Sequence, residues 1–259
     1  MNVPMRGQIT RPGASFSRQV LPVGKERTET PRGRARRVLR SRIGQGAAVL
    51  FDSSRRERHF EGGESLARSG EAGNEVYIVL GGIVGLYHDL PSGERDVLGY
   101  CYSGDLIAPA RFGETWGFDA KPLTSAQLLE LGRQNFFSPG AGEKDLAWLL
   151  FEAACAELAR RTARSRGYWF LPVKARLATF LFEIGDGIGE NSERGLAVHL
   201  PMFRDEIATY LGTRTETICR VLNSWKDKGL IVMESPRKLV IPDGASLQAD
   251  AFAQQLESP

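Results

Sequence analysis

The stretch from Pro201 to Ile231, PMFRDEIATYLGTRTETICRVLNSWKDKGLI, constrains this fold more than any other. Pro201 breaks the chain ahead of a short run in which Ile207, Ala208 and Leu211 recur at helical spacing and mark a core-facing stripe. Gly212 supplies a sharp turn, and Thr213 or Thr215 can cap a second helix through a side-chain oxygen. In that helix Ile218, Leu222 and Trp225 fall at i, i+4 and i+7 and face the core. Glu216, Cys219 and Arg220, at i, i+3 and i+4, share a different face that is free to point outward. Lysines in the last turn and Gly229 close the helix.

Two short helices joined at a glycine, the second carrying a carboxylate and a guanidinium outward, form the layout of a helix-turn-helix that enters the DNA major groove. Arginine can donate two hydrogen bonds to guanine O6 and N7, and a carboxylate can accept from cytosine N4. The plain alternative for Glu216 and Arg220 is an i, i+4 salt bridge on a solvated helix. Beyond Gly229, two short apolar runs at 230–234 and 238–241 flank Ser235-Pro236-Arg237. That is a hairpin signal and suggests a small wing on which Arg237 and Lys238 can touch phosphates.

Leu200-Pro201-Met202, Arg204, Asp205-Glu206-Ile207-Ala208, Tyr210-Leu211-Gly212, Glu216-Thr217-Ile218, Arg220-Val221-Leu222 and Gly229-Leu230-Ile231 together resemble, without a gap, the DNA-binding domain of the cyclic AMP receptor protein and fumarate–nitrate regulator superfamily. The resemblance implies base contacts from Glu216 and Arg220, with Cys219 and Thr215 on the same surface. It implies phosphate contacts from Arg204 and Thr217, to which Arg214 adds a further candidate. The chain departs from the pattern at two places. Thr215 stands where the cyclic AMP receptor has arginine, and Cys219 replaces the serine of the Glu-Thr-Ile-Ser-Arg found in the fumarate–nitrate branch. The sequence therefore looks closer to that branch and its FixK-like relatives, whose half-site resembles TTGA rather than GTGA. The base read at the Cys219 position is left open.

The 259 residues give room for two domains with their own cores. Residues 1–45 hold eleven of the 34 basic residues and two of the 31 acidic ones, so the net charge of +3 resides in this segment and the remainder is acidic. Rich in Arg, Pro, Gly and Ser, with little apolar periodicity, residues 1–45 read as a disordered basic tail. Such a tail either adds salt-sensitive DNA affinity or is a dispensable extension. No secretory h-region and no apolar run of membrane-spanning length is present, so a cytoplasmic protein without membrane contact is expected.

Residues 46–140 turn to short apolar runs separated by glycines: Glu75 to Leu80, Ile83 to Tyr87, Asp96 to Tyr100, Gly104-Asp105-Leu106-Ile107 and Ala126 to Leu131. Closely spaced strands with glycine turns suggest a β-barrel or roll. Their order resembles the sensory β-roll of the same superfamily, a cupin-like jelly roll. Members that hold a cyclic nucleotide use a Gly-Glu pair followed by Arg-Ser/Thr-Ala. Here Phe112-Gly113-Glu114 is followed by Thr115-Trp116-Gly117-Phe118, and Pro109 takes the glutamate's place in the register set by Gly104-Asp105. No cyclic nucleotide is expected. An iron–sulfur cluster needs four thiolates, and the chain has only Cys101, Cys155 and Cys219. Haem through His59 or His88, or an unidentified small effector in the roll, is the alternative reading. Histidine and cysteine show no zinc spacing, and no nucleophile–base pairing or P-loop points to an enzyme.

Residues 141–171 read as a helix and hinge. Leu150, Phe151, Ala154 and Leu158 form an apolar stripe suited to a dimer seam, as the resemblance implies and a palindromic site requires. Residues 172–250 complete the winged domain and 251–259 a short tail. The expected whole is an α+β chain: β-roll, long dimerisation helix, winged helix-turn-helix. Its expected role is that of a homodimeric transcription regulator that binds duplex DNA and acts through RNA polymerase. Cys219 adds a redox expectation, because oxidation on the reading face would place negative charge beside phosphates.

Overall fold

The computed structural model describes residues 30–43, 56–93, 95–111, 113–132 and 171–253, together with residues 148, 150–156, 158–159 and 162. The chain opens with α1 (Pro31–Ile43) and continues through β1 (Arg56–Phe60), β2 (Glu75–Gly81), β3 (Val84–Asp89), β4 (Arg95–Cys101), β5 (Leu106–Ile107), β6 (Asp119–Pro122) and β7 (Ala126–Gly132). A helical stretch covers the described residues between 148 and 162. The C-terminal half runs α2 (Val173–Ile188), β8 (Glu190–Ser192), β9 (Gly195–His199), α3 (Arg204–Tyr210), α4 (Thr215–Asp227), β10 (Val232–Ser235), β11 (Lys238–Ile241) and α5 (Gly244–Phe252).

Two antiparallel sheets, β1-β7-β2-β5 and β4-β3-β6, make the roll. β2 is an almost unbroken apolar run because both of its faces are covered. Tyr77 and Val79 point into the roll with Leu86, Trp116 and Leu128. Val76, Ile78 and Leu80 point out, under Ala35 and Leu39 of α1 and under Leu150 and Ala153 of the helical stretch. The Gly104-Asp105 turn is held by the Tyr102 N–H donating to Asp105 Oδ2 at 2.9 Å. Gly104 sits at φ +85°, where a Cβ would also meet Val38 of α1 at 2.7 Å, so glycine is required twice over.

α1 corrects the expectation of a disordered tail. Six arginines masked a short apolar stripe: Ala35 and Leu39 lie one turn apart and are buried against the roll. Burying a leucine of this kind contributes about 1.5–3 kcal/mol. The helix is also tied down by polar contacts, Arg32 pairing with Glu57 and Arg34 Nη1 donating to the Gly187 carbonyl at 2.9 Å. Residues 1–29 and 44–45 of the expected tail lie outside the described residues.

The β4-β3-β6 sheet turns its outer face to the C-terminal domain. Tyr87, Val97, Tyr100 and Tyr102 share one apolar core with Phe180 of α2 and with α3, α4 and the four-stranded sheet β10-β11-β9-β8. Tyr100 meets Phe180 at 5.9 Å and Tyr210 at 5.0 Å between ring centroids. The reading domain is thus packed on the roll through an aromatic contact. Its far end differs from expectation as well, because α5 runs across residue 250, with Leu247 and Ala251 buried.

Candidate nucleic-acid interface

α4 is positioned by its apolar stripe. Ile218, Val221, Leu222 and Trp225 are buried, which turns Glu216, Cys219 and Arg220 to solvent. Gly212 (φ +60°) makes the turn from α3, and Gly229 (φ +70°) ends α4. The N-terminus differs from expectation: Arg214 is the N-cap, without a side-chain cap bond, and Thr215 is already the first helical residue. Neither threonine therefore caps through its hydroxyl. Thr215 and Thr217 are half-exposed near the start of the helix, and Arg214 is exposed beside them.

The salt-bridge alternative for Glu216 and Arg220 is not formed, since neither joins an ion pair among the described residues. A carboxylate and a guanidinium one turn apart on an exposed face, both without an ion-pair partner among the described residues, can reach two base edges in one groove.

The helix is braced from behind by a residue that sequence reading did not single out. Asp250 of α5 accepts from Trp225 Nε1 at 2.9 Å, pairs with Lys228, and lies 3.6 Å from Lys174 of α2. The Lys228 hydrogen bond, with Trp225 and Lys174 behind it, holds the Asp250 carboxyl below its ordinary range. Arg176 of α2 donates to the Leu211 carbonyl at the end of α3. The position of Asp250, 25 residues beyond Trp225, left no local signal for this role.

The wing residues take separate parts. Arg204 Nη2 donates to the Pro236 carbonyl at 2.7 Å, so this arginine clips the wing turn to α3. Burial pulls its pKa down, opposed by the neighbouring Cys219. Lys238 Nζ sits 2.9 Å from Glu234, which also takes Arg194 at 3.0 Å. Arg237 is exposed and lies over the Phe203 ring, 4.0 Å from its centroid. Of the expected phosphate contacts, Arg214 and Arg237 present their charge outward, while Arg204 and Lys238 are engaged within the domain.

On the helical stretch, Phe151, Ala154, Cys155 and Leu158 are exposed, with Phe151 and Leu158 at 57% and 67%. Leu150, expected in the same seam, packs against the molecule's own roll. Inside the roll, Trp116 is buried, stacked on Tyr77 at 6.5 Å and edge-on to Phe118 at 5.5 Å. Burial, with Glu75 and Glu130 nearby, pushes the Tyr77 hydroxyl up to about 12. His59 and His88 are both exposed. No cluster of three potential metal ligands occurs among the described residues, and none of their helices is long and apolar enough to cross a membrane.

A β-roll packed on a winged helix-turn-helix, with an outward reading helix, defines a DNA-binding regulator. Comparison with known proteins agrees. Residues 175–250 match the Crp-like helix-turn-helix domain, and residues 57–138 match the cyclic nucleotide-binding domain. The chain is 26% identical over 179 residues to the nitrogen fixation regulation protein FixK of Azorhizobium caulinodans, covering 69% of this chain and 72% of that protein. It is 27% identical over 205 residues to the transcriptional activator protein FnrL of Cereibacter sphaeroides, covering 75% and 79%. The solved structure of FixK2 from Bradyrhizobium japonicum superposes with a TM-score of 0.63 at 21% identity, covering 79% of this chain and 98% of that one. The chain belongs to the CRP/FNR superfamily of transcription regulators, in its FixK-like branch.

Proposed function

We propose that this regulator works as a cytoplasmic homodimer on a two-fold palindrome of TTGA-like half-sites and activates transcription through RNA polymerase. The observation that carries the reading is the outward face of α4, where Glu216 and Arg220 stand exposed and unpaired among the described residues. Cys219 and Thr215 complete the base-reading surface, and Arg214, Thr217 and Arg237 lie where phosphates would pass. The exposed face of Phe151, Ala154 and Leu158 supports a second copy as partner, because monomers rarely leave large apolar side chains in a row. The names of the relatives, a nitrogen fixation regulator and a transcriptional activator, support activation.

The roll acts here without a cyclic nucleotide or an iron–sulfur cluster. Support comes from Trp116, whose indole fills the interior beside Tyr77 at the segment where a nucleotide-binding member would place its Arg-Ser/Thr-Ala. Exposed His59 and His88 offer no enclosed axial position for haem.

Control then falls on Cys219, which is exposed and adjacent to Arg204. Each of two peroxide molecules transfers one oxygen to the thiolate sulfur and leaves as water, giving first a sulfenate and then a sulfinate. That anion repels phosphates and competes for the arginine that clips the wing. The test is a titration of a labelled TTGA palindrome and a scrambled duplex, with and without peroxide. Tight binding of the palindrome alone, lost on oxidation and retained by Cys219→Ser, is expected. Equal inhibition of Cys219→Ser and wild type would remove the redox step. Failure to distinguish the two duplexes would remove the TTGA assignment, and failure to bind either would remove the DNA assignment.

A further inference from the structure

Phe203 is the residue that the domain's own stability explains least. It occupies the N-cap of α3, where a side-chain oxygen is favoured, and an aromatic ring has none to offer. Its backbone N–H is instead taken by Glu206 Oε2 at 2.8 Å, and the ring stays 60% exposed. The guanidinium of Arg237 lies on that ring, 4.0 Å from its centroid.

The backbone around Arg237 is fixed on every side. Its N–H donates to Ser235 Oγ at 3.3 Å, its carbonyl accepts from the Leu200 N–H at 2.7 Å, and the preceding Pro236 carbonyl accepts from Arg204 at 2.7 Å. The side chain then places its Cζ over the Phe203 ring, 4.0 Å from the centroid. A cation on an aromatic ring uses one face of the guanidinium and leaves its in-plane N–H fork open, the geometry that suits a phosphate. The hairpin's other cation, Lys238, is held by Glu234. Arg237 is therefore the wing cation whose donors are uncommitted among the described residues.

We infer that Phe203 is a positioning residue for DNA, a platform that presents the Arg237 guanidinium to a backbone phosphate beside the reading helix. The inference rests on the DNA-binding reading above. Because phosphates carry no sequence information, its effect must be the same on every duplex.

The test uses the full-length protein with two duplexes of equal length, the TTGA palindrome and a scrambled control, titrated by fluorescence anisotropy across about 50–200 mM salt. Phe203→Ala is expected to weaken both complexes about fivefold and equally, and Phe203→Trp to restore them, as an exposed cation–π contact on two half-sites allows. Arg237→Ala is expected to lower the salt slope by about two per dimer, one phosphate being lost at each half-site. In the Arg237→Ala background, Phe203→Ala adds nothing. Arg237→Lys keeps the salt slope but loses the dependence on Phe203, since an ammonium lacks the flat fork. The exposed ring makes Phe203→Ala a surface change, so unchanged melting confirms that folding is intact. Unchanged affinity of Phe203→Ala, or an undiminished loss in the Arg237→Ala background, overturns the inference while wild-type binding stands. A wild type that binds neither duplex overturns the DNA reading itself.

Discussion

In the roll, the aromatic and charged side chains are turned on one another. Tyr77 and Trp116 stack inside it, and Arg56 and Arg58 of β1 lie within 3.7 Å and 2.8 Å of Glu130 of β7. At α4 and its N-cap the opposite holds: Arg214, Glu216 and Arg220 are exposed and form no ion pair among the described residues, while the helix is held from behind by its buried stripe and by the bond of Trp225 to Asp250. A surface that must exchange partners with DNA keeps its donors in water, where releasing them costs little. The roll instead closes its β1 and β7 charges on one another, and such surface pairs contribute about 0–1 kcal/mol each. The contrast separates where this molecule recognises from where it merely holds shape.

The sharpest way to break that contrast is Arg220→Ala. A bidentate base contact discriminates by about 1–3 kcal/mol, so two half-sites lose about 2–6 kcal/mol of preference for the palindrome. Competition binding against a scrambled duplex should show that loss, with thermal stability unchanged. A smaller effect is expected at the roll. Leu39→Ala removes a buried side chain from the contact of α1 with β2 and β7 and should cost about 2–5 kcal/mol in denaturant unfolding. The ratio of specific to nonspecific DNA affinity should not move. An Arg220→Ala protein that melts early, or a Leu39→Ala protein that changes its sequence preference, would dissolve the distinction between the two halves.

The smallest effect sharpens the comparison by its pH dependence. The Asp250 carboxyl is held below its ordinary range in the folded protein, chiefly by Lys228. Its contribution is present above the unfolded carboxylate range and is lost as pH falls through the folded value. Asp250→Asn should therefore destabilise by about 1 kcal/mol at neutral pH. Wild type and variant should converge in acid, once the pH has fallen below the ordinary carboxylate range and through the lowered folded value. A gap between their melting curves that persisted in acid would assign the bracing of α4 to packing alone.

The helix-turn-helix was legible because its information is contiguous. A 3.6-residue apolar period, two positive-φ glycines and a polar face all fall within one stretch, and observed α4 keeps Ile218, Leu222 and Trp225 inside as that period requires. Strands β2, β3, β4 and β7 were legible for the same reason. β1 was not, because RERHF is a charged edge strand whose pairing with β7 depends on residues 70 positions away. α1 was hidden by its own arginines: its stability comes from a sheet face that no local pattern reveals. At the site, Glu216, Cys219 and Arg220 lie where periodicity put them. The separate tasks of Arg204, Arg237 and Lys238 needed the wing folded back on α3, and Phe203 and Asp250 emerge only from that packing.

The proposed reading of a two-fold site by the exposed face of α4 can be put to one measurement. Selection of bound duplexes from a random pool with reduced wild-type protein, repeated with Arg220→Ala, tests it most directly. Wild type should enrich a palindrome with TTGA-like arms, and the variant should lose one defined base preference in each arm. Enrichment of no palindrome, or the same palindrome from both proteins, would contradict it.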